Sequence, residues 1–133
     1  MTHLWGVQKD EVDKTWPLVT DLITAALDRG ERHTEDEIRK DIESGEGQLW
    51  IAWDGEGVKG VCITYVLQHT KSKVCRIWLC TGTEMNLWHH HLATIEAWSK
   101  EQGCDTIDAV VRPGWEKIMS NYRKTHVVLE KKL

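Results

Sequence analysis

Val74-Cys75-Arg76-Ile77-Trp78-Leu79-Cys80, the turn residues Thr81-Gly82-Thr83, a stretch carrying Trp88, Leu92, Ile95 and Trp98, and then Thr106-Ile107-Asp108-Ala109-Val110-Val111 decide the fold of this chain. The first run has no clean polar alternation, so it reads as a strand covered on both faces. Trp88, Leu92, Ile95 and Trp98 stand at i, i+4, i+7 and i+10, one face of a helix that Gln102-Gly103 ends. The last run is a strand again. Two strands joined through a helix form a parallel pair with a right-handed crossover.

Upstream, Gln48-Leu49-Trp50-Ile51-Ala52-Trp53 and Val58–Val66 are two apolar runs joined by Asp54-Gly55, which predicts a hairpin in the same sheet. Two helices precede it. Val12, Trp16, Val19, Ile23 and Ala26 fall at helical spacing up to Arg29-Gly30, with Pro17 expected in the first turn and Thr15 as the cap. Thr34-Glu35-Asp36-Glu37 is a capping box that opens a helix bearing Ile38 and Ile42, stopped by Gly45 and Gly47. Leu4-Trp5-Gly6-Val7 reads as a first strand. Downstream, Arg112-Pro113-Gly114-Trp115 starts a short helix to about Ser120, and Thr125-His126-Val127-Val128-Leu129-Glu130 is expected to close the sheet. The order β, α, α, β, β, β, α, β, α, β predicts one α+β domain over residues 1–133, with a mixed, mostly antiparallel sheet, a central parallel pair and helices on both faces.

The 133 residues, 41% hydrophobic and 29% charged, suffice for a real core and give no sign of disorder. With a formal net charge of −4 and scattered basic residues there is no electrostatic footprint for nucleic acid. No apolar run approaches the roughly 18 residues of a membrane helix, and Met1–Trp5 lacks a basic region followed by an apolar one. A soluble, cytoplasmic protein without membrane or nucleic-acid partners is the expectation. The four cysteines show no C-x-x-C spacing and read as reduced core thiols.

Eight Trp, two Tyr and no Phe make the aromatic set unusual. Trp50, Trp53, Trp78, Trp88, Trp98 and Trp115 fall in elements expected to be packed, whereas Trp5 and Trp16 are the two least expected to be buried. Trp side chains sharing an exposed patch would mark a protein interface. His89-His90-His91 cannot close on one metal, because adjacent helical residues point about 100° apart and none has a ligand at i+4. No metal is therefore expected. Cys80, at the end of its strand near a helix start, is the one thiol placed where activation is conceivable, and reads more simply as a small buried hydrophobe.

In this order of elements the chain resembles the GNAT superfamily of acyl-CoA-dependent N-acyltransferases over nearly all its length, more by topology than by motif. Its rhythm is also similar to small GNAT-like proteins of tailed phages. The resemblance implies acetyl-CoA as cofactor, held by the backbone of the stretch Thr81-Gly82-Thr83-Glu84-Met85. The candidate cofactor-binding residues are therefore Thr81, Gly82, Thr83 and Met85. In the family that loop is Gln/Arg-x-x-Gly-x-Gly/Ala, small residues at a helix N-terminus that hold a diphosphate on backbone N–H groups. Here one glycine remains, no basic residue precedes it, and Glu84 stands in the loop, where either Thr81-x-x-Glu84 forms a capping box or Thr83 caps the helix directly. The family's late Tyr-x-Lys-x-Gly-Phe motif aligns with Lys117, Met119 and Asn121-Tyr122, so the usual tyrosine acid is missing and Tyr122 is the one substitute. The central strand has no acid to serve as base.

Two functional expectations follow. The first is a GNAT-fold protein with a degraded acyl-CoA site, a phage-encoded pseudoenzyme of the host cytoplasm that works by binding another protein in an accessory, assembly or host-interaction role. The second is an active acyl-CoA-dependent N-acyltransferase acting on a small amine or a lysine. The departures in the loop and the absent tyrosine favour the first, and a homodimer is the default assembly. The second requires an opening between the strands Val74–Thr81 and Thr106–Val111.

Overall fold

The computed structural model describes residues 2–30, 32–83 and 89–133. Five strands form one sheet in the order β1-β2-β3-β4-β5: β1 His3–Gly6, β2 Gly47–Asp54, β3 Gly57–Gln68, β4 Lys73–Gly82 and β5 Thr106–Ala109. The first four run antiparallel to their neighbours, and β5 runs parallel to β4 as the strand–helix–strand reading requires. Among the described residues the helices are α1 Val12–Gly30, α2 Glu35–Ser44 and α3 Leu92–Glu101. The architecture is α+β with a mixed sheet and helices on both faces.

Alternation along the strands makes the two layers. Leu49, Ile51, Val61, Ile63 and Leu79 meet Val12, Trp16, Val19, Ile23 and Leu27 of α1 and Ile38 and Ile42 of α2. The residues between them, Trp50, Ala52, Cys62 and Ile77, meet Leu92 and Ile95 of α3 together with Met119. Trp50 satisfies its indole N–H on the Thr64 hydroxyl (3.0 Å) and stands edge-on to Trp98 (5.3 Å), which is how a large aromatic with one polar atom is accommodated in a core.

The capping box is built as expected. The Thr34 hydroxyl accepts from Glu37 N–H (3.3 Å), the Glu37 carboxylate accepts from Thr34 N–H (3.2 Å), and Gly45 ends α2 at φ 88°. A second device ties α2 to α1. Glu35 accepts from the Trp16 indole N–H, the Thr20 hydroxyl (2.7 Å) and the Thr24 hydroxyl (3.1 Å).

Several expectations are corrected. A 3-10 turn, Lys9–Glu11, leads into α1, so Pro17 lies inside the helix and Thr15 does not cap it. The Thr15 hydroxyl instead donates back to the Glu11 and Val12 carbonyls, and Pro17 is tolerated close to the helix start on the exposed face. Trp16 is buried at 4% exposure because Glu35 gives its N–H a partner, while Trp53, expected in the core, is 41% exposed and stacks on His3. An irregularity between Ala52 and Trp53 shifts the β2 register there. The short helix after Arg112 is a 3-10 turn, Pro113–Lys117.

The largest correction concerns Thr125–Glu130, which forms no strand. Trp115, Met119 and Tyr122 pack on the α3 layer, and the chain then passes to the opposite side, where Glu130 pairs with Arg32 beyond the end of α1 (2.6 Å). That path leaves the edge of β5, so the segment never meets a ladder partner. Val127, Val128 and Leu129 are exposed at 65%, 75% and 89%. The parallel pair consequently forms one margin of the sheet.

Candidate functional site

β4 and β5 stay paired for four residues, from Val74↔Thr106 to Ile77↔Ala109, with one further bond from Val110 N–H to the Ile77 carbonyl (2.9 Å). From Trp78 to Gly82, β4 keeps only its β3 partner among the described residues. The parting coincides with a bulge: β3 residues Thr64 and Ile63 face Ile77 and Leu79, leaving Trp78 as the extra residue. A bulge bends its strand and strengthens the local twist, which turns β4 away from β5.

The hydrogen-bond alternation then fixes which backbone groups face the gap. Thr83 N–H donates to the Lys59 carbonyl (2.8 Å), so Lys59 and Thr83 are a bonded pair. Counting back, Cys62 and Cys80 are a non-bonded pair, and the N–H and C=O of Cys80 point away from β3, toward the space that β5 has left.

Thr81, Gly82 and Thr83 stand at the mouth of this opening. Thr83 spends its own N–H on Lys59, which removes it as a backbone donor for a ligand. The Thr81 hydroxyl accepts from the Arg29 guanidinium (3.4 Å), so the C-terminal end of α1 delivers a cation to the end of β4 that no residue just before the loop supplies. Met85, Glu84 and the expected helix residue Trp88 lie outside the described residues.

Tyr122 is placed elsewhere. Its hydroxyl donates to the Glu96 carboxylate (2.6 Å) against α3, and burial, then that carboxylate, pushes the phenol above its ordinary range. It acts as a half-buried aromatic with an anchored polar tip. Cys80 is likewise disfavoured as a thiolate, because burial and the neighbouring Cys62 thiol push it well up. His89–His91 form a 3-10 turn in which His91 Nε2 meets the Thr2 hydroxyl (3.0 Å), and burial, then His90, holds the His91 imidazole below its usual value. Among the described residues no three His, Cys, Asp or Glu side chains are grouped to hold a metal, and no helix is long and apolar enough to cross a membrane.

Sequence reasoning missed a cavity of about 260 Å³ on the α1/α2 side of the sheet, directly beside the bulge. Its walls are His33 just before α2, Glu37 and Asp41 on α2, Tyr65 from β3, and Arg76 and Trp78 from β4; Ile38 and Leu67 complete the lining. Trp78 stands edge-on to both His33 (5.0 Å) and Tyr65 (5.9 Å). The Tyr65 hydroxyl donates to Asp41 (2.8 Å), and His33 Nδ1 bonds the Glu37 carboxylate (3.3 Å). A carboxylate can only accept, so Nδ1 is the donor in this bond. Arg76 is neutralised by Asp108 through two bonds of 3.0 Å. Burial, then Asp41 with Glu37 and Glu46 beyond it, pushes the Tyr65 phenol up.

No protein-family model matches the sequence, and no curated protein matches it either. Solved structures do match. The chain is similar to an aminoglycoside acetyltransferase from an uncultured soil metagenomic sample (TM-score 0.73, 10% identity, 99% of this chain and 96% of that one). It is also similar to a probable acetyltransferase (0.72, 12%, 98% and 97%) and to a GNAT family acetyltransferase from Staphylococcus aureus (0.67, 13%, 99% and 98%). With the parallel pair parting at a bulge and near-complete coverage on both sides, this chain has the fold of the GNAT acetyltransferases.

Proposed function

We propose that the protein is an acyl-CoA-dependent N-acyltransferase whose acyl donor enters the opening between β4 and β5 and whose amine acceptor sits in the cavity beside Trp78. The observation that carries this reading is the parting of the two strands at the bulge, with the Cys80 N–H directed into the gap. The opening that the second sequence expectation required is thus supported by the ladder. Acyl-CoA, when bound, supplies an acyl group activated as a thioester. Cys80 N–H is the donor this chain offers to the acyl oxygen, fixed in place by the sheet before any ligand arrives. Arg29, held at Thr81, offers positive charge toward the diphosphate end. His33, its Nδ1 on Glu37, takes the proton from the acceptor ammonium at Nε2 and so presents a neutral amine. Tyr122 takes no part.

The test is the melting temperature with and without millimolar acetyl-CoA. A ligand that binds only the folded state stabilises it by about 2.7 kcal/mol at a hundredfold excess over its dissociation constant. A saturable rise supports the reading, and an unchanged melting temperature contradicts it.

A second reading keeps the fold and replaces the chemistry: a protein-binding role, as an accessory, assembly or host-interaction factor of phage origin, or as a homodimer. The exposed row Val127, Val128 and Leu129 favours it, since an apolar, unpaired segment is a ready docking strip. Here Val128→Asp would abolish self-association in sedimentation while leaving the far-UV circular dichroism spectrum of the chain unchanged.

A further inference from the structure

The cavity beside the bulge has a charge and shape that select among amines. Two carboxylates, Glu37 and Asp41, stand four residues apart on α2, which sets their Cβ atoms about 5–6 Å apart on one side of the space. The facing wall is aromatic, Tyr65 and Trp78. The lone guanidinium on the lining, Arg76, has its charge balanced by Asp108, so the two α2 carboxylates are left in excess. Each keeps acceptor capacity: Asp41 takes a single bond from Tyr65, and Glu37 shares its oxygens between His33 and the Thr34 N–H. An anion is repelled here, and the space of about 260 Å³ suffices for a short aliphatic chain.

We infer that this cavity binds a short linear aliphatic diamine as its dication, one ammonium on Asp41 and the other on Glu37, with the methylene chain lying against Tyr65 and Trp78. Two charges one helical turn apart are matched by two ammonium groups at that separation, while a monoamine leaves one carboxylate without a cation. The aromatic wall adds cation–π attraction and covers the methylenes. The inference rests on the acyltransferase reading for what happens to the amine afterwards, since the ammonium on Glu37 is the one beside His33 and the bulge; binding itself stands on the cavity alone.

The experiment is calorimetric titration of the intact chain with putrescine and, separately, with butylamine. The expected result is one site per chain, with putrescine binding about tenfold or more tighter than butylamine, the equivalent of roughly 1.4 kcal/mol. Glu37→Gln and Asp41→Asn should each bring putrescine to the level of butylamine. Glu37→Gln preserves the capping box, so its fold is retained and its melting temperature verifies this. Asp36→Asn, on the exposed side of α2, should leave binding unchanged. Absence of putrescine binding, equal affinity for the two amines, or equal weakening by Asp36→Asn would overturn the inference, the last by showing mere attraction to net charge. Putrescine binding without stabilisation by acetyl-CoA would leave the cavity and remove the transferase; stabilisation without putrescine binding would do the reverse.

Discussion

Glu35→Ala is the substitution whose outcome the structure fixes most tightly. The Glu35 carboxylate accepts three side-chain bonds from α1, from Trp16, Thr20 and Thr24, and stands at the first position of α2. Trp16 is buried, so its indole N–H loses its partner without a full replacement by water, which costs about 1–3 kcal/mol. Thr20 and Thr24 are half-buried and can turn to solvent, so their bonds add only about 0.5 kcal/mol each. A negative charge at a helix N-terminus contributes a further 0.3–1 kcal/mol or so. The sum is about 2–5 kcal/mol, or roughly 10–20 °C in melting temperature at about 4 °C per kcal/mol for this size.

The same carboxylate sets the pH dependence. The bonds from Thr20, then Trp16, hold Glu35 below its ordinary value of 4.5. Its folded-state value is thus depressed, so its contribution is present in full above pH 4.5 and is lost as pH falls through the folded value. Urea unfolding of wild type and of Glu35→Gln should therefore differ at pH 7, and the difference should shrink as pH falls below 4.5. A Glu35→Ala chain within about 0.5 kcal/mol of wild type would refute the reasoning, since surface changes fall in that range. So would a difference that persists unchanged into acid.

Thr34→Ala removes the hydroxyl that caps α2 and should lower unfolding free energy by about 1 kcal/mol in urea melts. Tyr122→Phe deletes the bond to Glu96 and should cost about 1–2 kcal/mol of stability, while any acyl transfer per folded molecule stays within about twofold of wild type; a large loss of turnover with intact folding would make Tyr122 a catalytic acid after all. Cys80 should resist mild alkylation at neutral pH in the folded state, because burial and Cys62 keep it a thiol, and should react at once in urea, as read by mass spectrometry.

The parts of the fold legible in the sequence are those decided locally. Thr34-x-x-Glu37 and Gly45 bound α2 correctly because each group they satisfy lies within one turn. The strand–helix–strand stretch from Val74 to Val111 gave its parallel pair from connection length alone. What failed depended on distant partners. Trp16 looked peripheral until Glu35, 19 residues on, took its N–H. Thr125–Glu130 has the β-branched composition of a strand, yet a strand exists only against an open edge, and the chain leaves that edge to bring Glu130 to Arg32.

The site divides in the same way. Thr81 and Gly82 were found as the end of a strand before a helix, whereas Arg29 reaches Thr81 across 52 residues and leaves no local signature. Glu37 was read as a capping residue, which it is, and nothing near it in sequence says that Tyr65 and Trp78 stand opposite. The bulge at Trp78 is a matter of register between β3 and β4, invisible in either strand alone.

The most direct test of the central claim is amide hydrogen exchange at Cys80, followed with and without saturating acetyl-CoA. The account places this N–H on the unpaired side of β4, facing the opening, so it should exchange faster than its bonded neighbours Leu79 and Thr81 in the free protein and slow markedly when the thioester is present. A Cys80 amide whose exchange does not respond to acetyl-CoA would contradict the claim that the parting of β4 and β5 is an acyl-donor site.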